Sequence, residues 1–162
     1  MGKPLKVGSP QYFAFVRELK NAEGGKVVLR KLGKEFRRQG RPILQSVKKA
    51  ALGTPSKGQN ARRGRPSLRR SISKAAVLQV RVQKDAVMIV KIAGKKMPTG
   101  MQGLPPYIEG RNARLRHPTF GHDPWVRQSP HPFFYGAVEP YRPKLEQGVN
   151  NVLNEIAAEL ER

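Results

Sequence analysis

The chain has 162 residues, 38% of them apolar, and carries 32 lysines and arginines against 11 acids, a formal charge of +21. Such a length and apolar content support one modest core, so a single domain spanning residues 1–162 with basic extensions is expected. The absence of cysteine excludes disulfide frameworks, thiolate nucleophiles and sulfur-ligated zinc, and no apolar run approaches the roughly 20 residues that cross a bilayer.

In chain order, residues 1–25 read as an N-terminal extension that carries a short helix. Tyr12, Phe13, Val16 and Leu19 recur at helical spacing, Ser9 is placed to cap, Pro10 suits the first helical position, and Gly24-Gly25 closes the element. Met1–Pro10 lacks the apolar stretch of a secretory signal, so synthesis and use in a cytoplasm, with no membrane partner, are expected. From Lys26, the apolar positions Leu29, Leu32, Phe36, Ile43, Leu44 and Val47 predict a long helix. Its other face carries Arg30, Lys34, Arg37, Arg38, Arg41, Lys48 and Lys49, and Pro42 should kink or split it.

Residues 53–66 combine glycine, proline and four cations with no acid and no apolar period, the composition of a mobile basic loop. Ser67–Ile72 reads as a short helical turn. Ala76, Leu78, Val80 and Val82 then alternate with Gln79, Arg81 and Gln83, Lys84-Asp85 suits a tight turn, and Val87–Ala93 continues as a second strand. Residues 94–110, with Pro98, Pro105 and Pro106, form a Pro/Gly-rich loop that cannot be regular for long. Arg111–Pro132 reads as short edge strands joined by turns. Beyond Pro143, the stripe Leu145, Val149, Val152, Leu153, Ile156 and Leu160 predicts a terminal amphipathic helix with an acidic outer face. The fold class is therefore α+β: an antiparallel sheet with a central hairpin, packed by a long N-terminal basic helix and a C-terminal amphipathic helix.

Charge is one-sided. The first 70 residues hold 19 cations against Glu18, Glu23 and Glu35, while the last 32 hold three cations against five acids. Self-repulsion on this scale points to a polyanion or an acidic protein surface as partner. The residues expected to meet it are Arg62, Arg63, Arg65, Arg69 and Arg70 on the loop and its exit, with Arg37, Arg38 and Arg41 on the long helix. Arg63-Gly64-Arg65-Pro66 is similar to the core of an AT-hook, in which arginines enter a narrow A·T minor groove. A single four-residue copy in an arginine-rich chain favours the plainer reading of a basic loop that meets phosphates or carboxylates.

His117, His122, Asp123 and His131 are the only grouping with metal-ligand chemistry, but their gaps match no helical His pair and no zinc-hydrolase signature. No nucleophile elbow and no phosphate-binding loop occurs, so no enzyme activity, metal or cofactor is expected. Phe120, Trp125, Phe133, Phe134, Tyr135 and Tyr141 could stack bases if exposed. They are read instead as the core joining the hairpin to the terminal helix, with Trp125, Phe133 and Phe134 assigned to packing.

Three motifs in order, Gly64-Arg65-x-x-Leu68-Arg69-x-Ser71-Ile72, Arg116-His117-Pro118-x-Phe120-Gly121 with Trp125-Val126-x-Gln128, and Pro132-Phe133-Phe134, resemble the tail-completion or head-to-tail joining family of long-tailed bacteriophages, often labelled minor tail proteins. The likeness covers about residues 26 to 160. It implies an α+β structural subunit without cofactor that forms a homo-oligomeric ring, a hexamer by family, between connector and tail proteins in the virion neck, assembled in the host cytoplasm. The long stretch Gly94–Pro106 and the high charge depart from the family pattern. In such a ring a basic helix of one subunit would meet the acidic helix of the next, and most of the remaining cations would face genomic DNA, without sequence preference, or acidic neighbours. The alternative is a free nucleic-acid-binding protein of ribosomal or nucleoid-associated type.

Overall fold

A computed structural model describes residues 9–55, 67–82, 86–111, 115–119 and 122–160. The fold is α+β, mostly helical, with two two-stranded sheets among the described residues. The chain divides into two compact units. One is built from Met1–Leu44, Leu78–Val90 and Pro140–Arg162, the other from Gln45–Val77 and Lys91–Glu139.

In the first unit, helix α1 (Pro10–Asn21) starts as its sequence dictates. Ser9 accepts a hydrogen bond from the Tyr12 amide at 3.1 Å, and Pro10 takes a position where its missing N–H costs nothing. Gly24, at φ +77°, makes the left-handed step between helices. Helix α2 (Gly25–Gly53), whose residues from Gln45 on belong to the second unit, then runs as one 29-residue element through Pro42, so of the expected kink or split the split does not occur. A proline inside a helix costs about 3 kcal/mol, and the burial of Phe36, Ile43, Val47 and Ala51 on either side of it outweighs that local penalty.

Strands β1 (Ala76–Arg81) and β2 (Val87–Ile92) form the predicted hairpin, antiparallel because so short a connection permits nothing else. The predicted Lys84-Asp85 turn lies outside the described residues. Leu78, Val82 and Met88 come so near α2 that any side chain beneath them would have to displace them. A Cβ on Gly40 would fall 2.6 Å from both Leu78 Cδ1 and Met88 Sδ, and one on Gly33 would fall 3.0 Å from Val82 Cγ1.

Helix α6 (Arg142–Leu160) buries Val149, Leu153 and Ile156, the stripe read from the sequence. Val149 and Leu153 join Tyr12, Val16, Leu29, Leu32, Phe36 and Ala86 in the main core, with Val80, Val82 and Met88 of the hairpin packed against it. The aromatic residues of that core are thus Tyr12 and Phe36. The aromatic-core expectation needs correction here: Phe133 is buried, in the second unit, whereas Tyr135 is 46% exposed. The side chains of Phe120 and Trp125 lie outside the described residues.

In the second unit, helix α3 (Leu68–Ala75) buries Ser71, Ile72 and Ala75, and the Ala93 amide donates to the Ala75 carbonyl at 2.8 Å. The Pro/Gly-rich segment holds only short elements: Gly94–Lys96 forms a 3₁₀ turn and Leu104–Ile108 a five-residue helix, α4, started by its prolines. Strands β3 (Leu115–Thr119) and β4 (His122–Gln128) pair antiparallel, Leu115 opposite Gln128, with an irregularity between Pro118 and Thr119. The carboxylate of Glu109 accepts the amides of Phe133, Phe134 and Tyr135 at 2.9–3.1 Å and so caps helix α5 (Phe134–Val138).

In a urea titration, Gly40→Ala should destabilise the protein by about 1 kcal/mol despite alanine's higher helix propensity, because the new methyl must displace the ends of Leu78 and Met88. Gly136→Ala, whose Cβ would meet nothing within 4 Å, should be neutral or stabilising by up to about 1 kcal/mol in the same urea titration.

Candidate polyanion-binding surface

Between residues 25 and 44, α2 separates two faces by its own periodicity. Val28, Leu29, Leu32, Gly33, Phe36, Gly40 and Ile43 are buried, while Lys26, Arg30, Lys34, Arg37 and Arg41 are exposed. Successive spacings of four, four, three and four residues place these five cations in one row, about 22 Å long at a rise of about 1.5 Å per residue. Neighbouring like charges at this spacing repel, so the row opposes the helix that carries it. Among the described residues no ion pair involves Lys26, Arg30, Lys34 or Arg41, and Arg37 donates only to the Gly33 carbonyl, at 3.3 Å.

The single acid of α2 is on the opposite side of this division. Glu35 is 8% exposed and accepts from Arg38 Nε and Nη2 at 2.7 Å each and from Gln39 Nε2 at 2.7 Å. The fork of Arg38 holds this carboxyl below its usual range; burial opposes the shift, and the Gln39 bond adds to it. Gln39 is kept flat by Gly148 of α6, where a Cβ would come within 2.5 Å of its amide nitrogen. Beside this cluster a groove of about 310 Å³ is lined by Lys31, Lys34, Glu35, Arg38, Val152, Glu155 and Ile156. Three cations face two carboxylates here, and Lys34 belongs both to the groove and to the row.

The arginines singled out from sequence therefore meet different fates. Arg37 and Arg41 belong to the exposed row. Arg38 stays exposed at 74% of its side chain but is committed to Glu35. Arg69 turns its guanidinium toward the Leu52 and Thr54 carbonyls, at 3.4 and 3.5 Å, and so covers unsatisfied acceptors at the C-terminal end of α2. Arg70 is exposed on α3, one turn from the exposed Lys74. Arg62, Arg63 and Arg65, with the rest of the predicted loop over 56–66, lie outside the described residues. Lys26, which no sequence argument placed on the basic face, begins the row; its spacing to Arg30 was the available signal.

Of the histidine and aspartate grouping, His131 is exposed and its amide donates to the Ile108 carbonyl at 2.7 Å; the side chains of His117, His122 and Asp123 lie outside the described residues. Arg111 lies 4.6 Å from the centre of the exposed Tyr135 ring, a cation–π contact in the second unit. Searches against family models, curated proteins and solved structures found no match to this chain.

Because repulsion among exposed cations is screened, the melting temperature should rise as sodium chloride goes from about 10 mM to about 1 M, over which the Debye length falls from about 30 to about 3 Å. A flat or falling melting temperature in a thermal scan would mean that the row is neutralised within the fold. The Glu35 carboxyl has its folded proton affinity lowered from 4.5, so its contribution is complete above that value and lost as pH falls through the lower folded one. Glu35→Gln should therefore flatten the acid limb of the stability curve by the uptake of up to about one proton, read from denaturation midpoints below pH 5.

Proposed function

We propose that the chain is a virion structural subunit of the neck or tail top of a long-tailed bacteriophage. Copies of it close into a ring that joins the head connector to the tail tube around the DNA path. The observation that carries this reading is the exposed cationic row of α2, in a chain whose last 32 residues hold five acids against three cations, with Glu146 and Glu155 exposed on α6. A heterologous contact between a basic and an acidic helix repeats around a closed ring, and it leaves most of the cations for a partner on the ring axis or on adjoining rings.

The motif residues support it by position. Leu68-Arg69-x-Ser71-Ile72 falls on α3, Arg116-His117-Pro118 and Trp125-Val126-x-Gln128 on the β3–β4 hairpin, and Pro132-Phe133-Phe134 at the start of α5. Each motif thus occupies an element of its own. The role is one of assembly, without catalysis or cofactor. The rival, a free nucleic-acid-binding protein, draws on the same row and differs in needing no self-association.

Native mass spectrometry and light scattering on the purified chain distinguish the two. A closed oligomer, six copies by family resemblance, is expected at micromolar concentration and moderate salt. A monomer at every concentration that still shifts DNA or RNA would overturn the ring in favour of the rival.

A further inference from the structure

We infer that Lys26, Arg30, Lys34, Arg37 and Arg41 form a phosphate-tracking surface for duplex DNA, contacted without regard to base sequence. The inference rests on the neck reading for the duplex that passes the ring, and it names the residues that meet it.

Two features favour a nucleic-acid backbone over an acidic protein, and a third, the arginine content, serves phosphate and carboxylate alike. The row is regular: five cations spread over about 22 Å present a charge every 5 to 6 Å or so, a column that suits the evenly repeated phosphates of a strand. No exposed acid of α2 interrupts it: Glu35 is buried and bound by Arg38 and Gln39, and of the row only Lys34 shares a groove with it and with Glu155. Protein interfaces, by contrast, are depleted in lysine and exploit charges of both signs to fix register. Three of the five are arginines, whose planar forks match phosphate oxygens.

Sequence-independent contact follows from where the row lies, since arginine can serve guanine as well as phosphate and only an adenine reader is missing. Between Lys26 and Arg41 the only side-chain amide is Gln39, and it is spent on Glu35, so no amide remains to read adenine in the major groove. The exposed members of the row lie along the helix flank, a geometry that lays α2 beside a backbone. Arg38 supplies an internal control. It has the same chemistry and is one residue from Arg37, yet its guanidinium is held by a carboxylate.

Fluorescence anisotropy with a random-sequence duplex of about 30 base pairs, from about 50 to about 200 mM sodium chloride, tests the assignment. The triple variant R30Q/R37Q/R41Q should lower the slope of log affinity against log salt by about 2.7 per engaged chain, roughly 0.9 for each lost phosphate contact. R38Q should leave the slope unchanged, and R30K/R37K/R41K should keep it, which separates charge from folding. Unchanged binding in the triple variant, or equal competition by poly-glutamate at matched charge, would overturn the row as a DNA surface. Light scattering on the same samples keeps the two readings apart. A monomer whose slope drops in the triple variant overturns the ring and leaves the row; a ring whose slope does not drop overturns the row and leaves the ring.

Discussion

The hydroxyl of Tyr12 donates to the carbonyl of Ala86 at 2.5 Å, across 74 residues of chain, and the arrangement of the first unit follows from that bond. Both residues are fully buried. Ala86 sits at φ +44°, left-handed backbone that a non-glycine residue adopts only at a cost, and a buried carbonyl without a partner would add to it. The tyrosine removes the second penalty and holds the chain through the first. Its own phenol, pushed up to about 12 by burial, remains a donor at any physiological pH.

Once the end of the hairpin is fixed against α1, the remaining contacts have little freedom. Leu78 and Met88 reach the helix at Gly40 and Val82 reaches it at Gly33, seven residues or two turns apart, so both glycines lie on one line of α2. A third glycine, Gly148, lets α6 approach the Gln39 amide. With the hairpin and α6 occupying its buried arc, α2 has one face left, and that face carries the row of cations. Core packing thus fixes which arginines and lysines point to solvent.

Much of this fold is legible in the sequence because the signals are local and agree. Ser9-Pro10 starts a helix by capping chemistry, Gly24 ends the connection by its left-handed backbone, and the alternation from Ala76 can only be a strand. The failures occur where tertiary contacts outweigh local rules. Pro42 breaks isolated helices, yet here the buried residues on both sides carry α2 through it. The proline cluster over 94–110, by contrast, reads as a stretch that cannot be regular for long, and its elements are three and five residues, the second started by Pro105. Phe133 to Tyr135 read as one aromatic block, and the backbone divides them: Glu109 draws in three successive amides, Phe133 turns inward and Tyr135 outward against Arg111.

Of the candidate surface, periodicity shows the face that carries Arg30, Lys34, Arg37 and Arg41, but neither periodicity nor a count of cations can say which of them are already neutralised. Arg37 and Arg38 are adjacent and chemically identical, and the helix turns them about 100° apart. That rotation brings Arg38 over Glu35, whose oxygens take both of its forks, and leaves Arg37 in line with Lys34 and Arg41. Arg69 differs from Arg70 in the same way, because the carbonyls at the end of α2 lie on one side of α3 only. A residue's share in polyanion binding therefore depends on what its helix faces at that angle. The buried carboxylate of Glu35 sharpens the surface by removing one arginine from it and by keeping the only negative charge of α2 away from an incoming phosphate.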